Sequence, residues 1–221
     1  MELQGASILI AGGTGGLGRR LAEQLGRHGA RITIAARSID PADHPEAATV
    51  AADLRLPSEC ERAVEAAVAA YGRLDAVINA AGVVAFGSLE ETSVDTVEDL
   101  FMSNTFLPIF LTKAALEHMG EGGAIVTISG VVAEHPMAGM AAYSASKAAS
   151  AAFSTAIRRE LRRRKITVID ARPGHTETGL ADRPIAGTAP AFNQGHDPDT
   201  VVKRLIQAIE SDETDLPASA F

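Results

Sequence analysis

Tryptophan is absent from this chain, and tyrosine occurs only twice in 221 residues, at Tyr71 and Tyr143. Cysteine occurs once, at Cys60. No intrachain disulfide can therefore form, and a reducing cytoplasm is the expected setting. No stretch approaches 18 uninterrupted apolar residues, so no membrane-spanning helix is expected. The opening segment MELQGASILIAGGTGG has no basic leader and turns glycine-rich before any apolar run of signal length. Positive charge is also scarce, with 20 lysines and arginines against 28 acidic residues and a net charge of −8. That balance argues against nucleic acid as a partner. The one basic cluster, Arg158 to Lys165, ends a predicted helix and reads as a solvated face favoured by the helix dipole. No histidine, cysteine and carboxylate cluster has metal-ligand spacing, so no metal is expected.

What is present is a hydrophobic share of 46% and 20 glycines, enough for a sizeable core with many tight turns. Nearly continuous apolar runs at 6–11, 31–36, 48–53, 74–79, 123–129 and 166–171 read as strands buried on both faces of a parallel sheet. Helical patterns lie between them, near 16–28, 57–71, 97–119 and 141–164, with a last one near 198–210. This alternation predicts an α/β fold, a single doubly wound Rossmann-type domain over 1–221. Its parallel sheet has six or seven strands, with helices on both faces. There is no internal repeat and no low-complexity linker. The longest irregular stretch, 175–197, has the length of a segment that covers a site.

The motif AGGTGGLG follows the first strand and opens the first helix. It satisfies two glycine spacings, Gly13/Gly15/Gly18 and Gly12/Gly16/Gly18, and either lets helix N-terminal amides approach a diphosphate. At the end of strand two, an acidic residue would hold the adenosine 2′-hydroxyl of NAD. Here Ala36 is followed by Arg37 and Ser38, so a guanidinium stands where a 2′-phosphate would lie, which favours NADP(H) over NAD(H). Further on, Tyr143 and Lys147 are one helical turn apart and share a face. A free phenol titrates near pH 10. A neighbouring ammonium favours the phenolate, which is the arrangement of an acid and its tuner.

With these motifs in their order, the chain resembles the short-chain dehydrogenase/reductase family over nearly its whole length. The resemblance rests on the Gly12/Gly16/Gly18 loop, NAAG at Asn79–Gly82, Asn104 in MSNTF, YSASK at Tyr143–Lys147, and Pro173-Gly174 with Thr178 beyond. It implies that Thr14 and Leu17 sit against the phosphates and Arg37 and Ser38 against the 2′-phosphate. It implies that Asp53, with Leu54 beside it, meets the adenine edge, while Asn79, Ala80 and Gly82 line the adenosine side. Pro173, Gly174, Thr176 and Thr178 would embrace the nicotinamide. In the family's chemistry Tyr143 would protonate the substrate oxygen, Lys147 would hold the nicotinamide ribose, and Asn104 would support a proton-relay water.

The same resemblance calls for a serine thirteen residues before the tyrosine, but that position is Gly130. Ser129, one place earlier, is the candidate replacement. On a regular strand its side chain would face the other way, so His135 or a bound water is the alternative donor. Two functions follow. The first is an NADP(H)-dependent oxidoreductase that interconverts a carbonyl and an alcohol on a small, mostly hydrophobic substrate. The second is a catalytically weak NADP(H)-binding sensor or regulatory subunit of the same fold. The resemblance implies a homodimer through helices 97–119 and 141–164, the usual dimer face of the family. A tetramer is less expected, because no full-length strand is evident near the C-terminus.

Overall fold

In the computed structural model, which describes residues 1–221, seven strands form one parallel sheet. They are β1 (Ser7–Ala11), β2 (Arg31–Ala36), β3 (Ala48–Ala51), β4 (Leu74–Asn79), β5 (Met119–Ile128), β6 (Thr167–Ala171) and β7 (Asp215–Leu216), in the order β3-β2-β1-β4-β5-β6-β7. The doubly wound expectation holds. The seventh strand is a two-residue pairing of Asp215 and Leu216 with Asp170 and Ala171.

Alternation along β1 splits its side chains between two apolar layers, because successive strand residues point to opposite faces. Ile8 and Ile10 pack with Leu21 and Leu25 of α1 (Gly16–Arg27) and with Val201, Leu205 and Ile209 of α6 (Pro198–Ser211). Leu9 and Ala11 face α2 (Pro57–Tyr71), where Cys60 and Val64 meet them. Each fully buried leucine or isoleucine contributes about 1.5–3 kcal/mol, so the sandwich of helix, sheet and helix is well supported. Cys60 lies in this layer, and burial pushes its thiol up to about 12, which makes it an inert packing group.

The helix expected over 97–119 is divided. It comprises α3 (Val94–Phe101), a π-helical turn (Met102–Phe106) and α4 (Leu107–Leu116), and β5 begins at Met119. Pro108 gives the physical reason. It has no N–H to donate to the carbonyl of Asn104, four residues earlier, so the α-helical ladder cannot run through this point. The N–H of Leu107 reaches back to Met102 instead, closing the wider turn. The longest helix, α5 (Ala141–Leu161), ends in a single 3₁₀ turn. Of the basic cluster there, Arg158 donates to the Val168 carbonyl and Arg164 to those of Leu116 and Met119. No helix is long and apolar enough to cross a membrane.

Strand order reverses between β1 and β4, so the connections leaving their C-terminal ends diverge and open a crevice.

Candidate active site

The turn from β1 into α1 forms the floor of that crevice. Gly12 has φ +76, and a Cβ there would lie 2.7 Å from the backbone of Ala81. A Cβ on Gly18 would lie 2.2 Å from the Gly12 carbonyl, and one on Gly16 would lie 2.5 Å from Thr178. These contacts bring three chain segments closer than any side chain would allow. Helix α1 starts with no side-chain cap and no acidic residue in its first turn. Its first amides and positive dipole end are therefore left for an anion. That donor set fits the diphosphate of a dinucleotide.

A cleft of about 600 Å³ runs across these ends and is lined by Gly12, Thr14, Gly16, Leu17, Arg37, Asp53, Leu54, Ala80, Gly82, Tyr143, Lys147, Pro173, Gly174, Thr176 and Thr178, among others. Four expected residues lie elsewhere. Gly18 is packed under the loop, and Ser38 is exposed outside the lining. Asn79 is buried at the end of β4 with its Oδ1 unpartnered, and Asn104 lies beneath the floor. Beside Asp53, sequence reading missed Arg55. Its guanidinium holds the Asp53 carboxylate through Nε at 3.0 Å and Nη2 at 2.7 Å, and pairs with Asp99 at 3.0 Å. This hydrogen bonding keeps the Asp53 carboxyl below the usual carboxylate range. The only signal in the sequence was an arginine two residues past an aspartate, a common turn pairing.

Tyr143 and Lys147 both open into the cleft from the start of α5. Lys147 is buried and donates to the Ile128 carbonyl at 2.9 Å, at the end of β5. Gly82 makes room for it, since a Cβ there would lie 3.3 Å from Nζ. Burial pushes the lysine down to about 8, opposed by the charge of Asp170. Burial also pushes the Tyr143 phenol up to about 12. The shift runs opposite to the lowering expected from a neighbouring ammonium, and its cause is desolvation of the phenolate.

Asn104 acts as a tie. Its Oδ1 accepts from the Val83 amide at 3.0 Å, and its Nδ2 donates to the Val83 carbonyl and the Ser146 hydroxyl, each at 3.0 Å. The loop after β4 is thereby fixed against the residue preceding Lys147.

Ser129 lines the cleft, but its hydroxyl has a partner of its own. Its hydroxyl donates to Asp170 Oδ1 at 2.7 Å, and the residue is fully buried. Asp170 is in turn paired with Arg172, which also holds Glu134 and Asp215. The backbone does depart from regularity here, because the amides of Ser129 and Gly130 both reach the Ala171 carbonyl. Gly130 takes φ +92, a conformation that strains any other residue. The kink turns the chain after Ser129, and although that residue lines the cleft its hydroxyl is committed to Asp170. His135 is exposed and outside the lining, so it does not serve as the alternative donor either.

Beyond Tyr143 the cleft is apolar. Val84, Phe86, Val132 and Met140 form a buried cluster with Tyr143, Leu180 and Phe192 against it. The Phe192 ring stands 6.0 Å from Phe86, and His175 stacks on it at 4.6 Å. Residues 175–197 supply much of this wall and are fastened at two points, by bridges between Ala85 and Ala186 and between Thr176 and His196.

Comparison with known proteins places this geometry. The family model described as short chain dehydrogenase matches residues 6–186. Ipsdienol dehydrogenase of Ips pini is 33% identical over 95% of this chain and 88% of its own length. The chloroplastic NADPH-dependent aldehyde reductase 1 of Arabidopsis thaliana is 30% identical over 81% of this chain and 68% of its own. Among solved structures, a short chain dehydrogenase from Burkholderia cenocepacia in complex with NADP superimposes with a TM-score of 0.85 at 29% identity, covering 100% of this chain and 99% of that one.

Proposed function

Because this chain belongs to the short-chain dehydrogenase/reductase family, we propose that it is an NADP(H)-dependent oxidoreductase interconverting a carbonyl and an alcohol on a small, mostly hydrophobic substrate. The observation that carries this reading is that Tyr143, Lys147 and the glycine turn line one cleft. The reduced nicotinamide, when bound, supplies a hydride to the carbonyl carbon. Tyr143 then gives its phenolic proton to the carbonyl oxygen, and its high proton affinity keeps it in the donor form at neutral pH. Lys147, largely charged below pH 8, is aimed by the Ile128 carbonyl and steadies the phenolate left behind. Asn104, which in the family's chemistry supports a proton-relay water, would help return the proton from solvent. Arg37 lines the cleft and forms no ion pair, although its charge is felt by Asp53, and a guanidinium there would suit a 2′-phosphate, which supports NADP(H). Phe86, Met140, Leu180 and Phe192 support an apolar substrate.

The test is NADPH consumption against a panel of aldehydes, ketones and quinones. Tyr143→Phe is expected to lower kcat by about 10²–10⁴-fold while NADPH still binds. Turnover unchanged in that variant, or none by the unaltered chain on any compound, would sink the enzyme reading. One observation favours a second reading, an NADP(H)-responsive sensor: Gly130 supplies no hydroxyl and Ser129 is committed to Asp170. Under that reading NADPH binds and no carbonyl compound is reduced.

A further inference from the structure

Three arginines line the cleft, and they differ in their partners. Arg55 is neutralised by Asp53 and Asp99. Arg37 stands at the adenosine end. The third, Arg183, belongs to the covering segment and was absent from the residues expected from the sequence. Its only hydrogen bonds go to backbone carbonyls, from Nε to Gly179 at 2.9 Å and from Nη2 to Thr178 at 3.5 Å. No carboxylate lies within ion-pairing distance, although the chain carries an excess of acidic residues.

The Thr178 carbonyl locates this cation. The same oxygen lies 2.8 Å from where a Cβ on Gly16 would be, at the first residue of α1. Arg183 and the uncapped end of α1 therefore flank one point of the cleft, from the covering segment and from the floor respectively. Both offer donors and positive charge, and neither has a protein anion to receive them. We propose that Arg183 is a diphosphate clamp. On this assignment its guanidinium, held over Thr178 and Gly179, closes on the dinucleotide's bridging phosphates from the side opposite the glycine turn. The assignment rests on the dinucleotide reading above. It also gives the cofactor a grip on the segment that carries His175, Leu180 and Phe192, so the substrate wall is fastened when the diphosphate is in place.

The experiment measures equilibrium binding of NADPH, by its fluorescence, to the unaltered chain, Arg183→Ala and Arg183→Lys at several salt concentrations. Adenosine 2′-monophosphate, which lacks the bridging phosphates, serves as the second probe. Arg183→Ala is expected to weaken NADPH about tenfold and to flatten its salt dependence. Arg183→Lys should recover part of the loss, and adenosine 2′-monophosphate should bind all three alike. NADPH should protect residues 175–197 from limited proteolysis in the unaltered chain more than in Arg183→Ala. Equal NADPH affinity and equal salt dependence in Arg183→Ala would overturn the clamp alone. Failure of the unaltered chain to bind NADPH or NADH would overturn the cofactor reading and the clamp with it.

Discussion

Ser129 shows how a single side chain can line a cleft and still be committed elsewhere. Its hydroxyl is one of two polar groups holding the fully buried carboxylate of Asp170, the other being Arg172. Removing it leaves a buried acceptor short of a donor, which costs about 1–2 kcal/mol. Ser129→Ala is therefore expected to lower Tm by about 2–8 °C, while kcat for any substrate found stays within about threefold of the unaltered chain. A loss of the size seen on removing an oxyanion donor, about 10²–10³-fold, would return Ser129 to the reacting atoms. The pair Tyr143 and Lys147 teaches the complementary lesson. Their spacing predicts a shared face, and both do open into the cleft, but the direction of the tyrosine's shift is set by burial, which no spacing encodes.

Among the elements, the covering segment is the one whose conformation decides access to the site. It is held by backbone contacts: the Phe86 amide bonds Ala186 at 3.0 Å, and the Ile185 amide bonds Val84 at 2.9 Å. Gly187 follows with φ +74, and a Cβ there would fall 1.8 Å from the Phe86 carbonyl. No rearrangement of a flexible side chain relieves that clash, because the obstacle is backbone. Gly187→Ala should therefore push the segment off the loop after β4 and displace Phe192 from Phe86. The expected result is a KM for the carbonyl compound raised about tenfold or more, from lost apolar burial of the substrate, with NADPH affinity changed far less. An unchanged KM would show that the fastening at Ala186 does not shape the pocket. The division of α3 and α4 by the π turn belongs to this scale too. It was readable in principle from Pro108, whose missing N–H falls opposite the Asn104 carbonyl.

For the whole molecule, a ligand that binds only the folded chain adds RT ln(1 + [L]/Kd) to its stability. NADPH at a hundred times its Kd should contribute about 2.7 kcal/mol, or roughly 5–10 °C in Tm for a chain of this size. NADH at the same concentration should give less than half that shift if Arg37 selects for the 2′-phosphate. A larger shift with NADH would reverse the stated cofactor preference. Such a gain is plausible here because the cleft joins both halves of the sheet, from Arg37 beyond β2 to Pro173 beyond β6.

The amino-acid order by itself determined the strands, most of the helices, the doubly wound sheet and the floor of the cleft. Each of these follows from local signals: runs of apolar residues too long to be half-exposed, glycines at a strand-to-helix turn, and a tyrosine and lysine one helical turn apart. Tertiary structure alone decided that Ser129 bonds Asp170, that Arg55 occupies the Asp53 carboxylate, and that Arg183 reaches the Thr178 carbonyl beside Gly16. It also decided that burial raises the proton affinity of Tyr143. The physical reason is that orientation past a kink, ion pairing and burial depend on segments brought together across the sheet. Residues 16 and 178, or 129 and 170, have no relation until the chain folds.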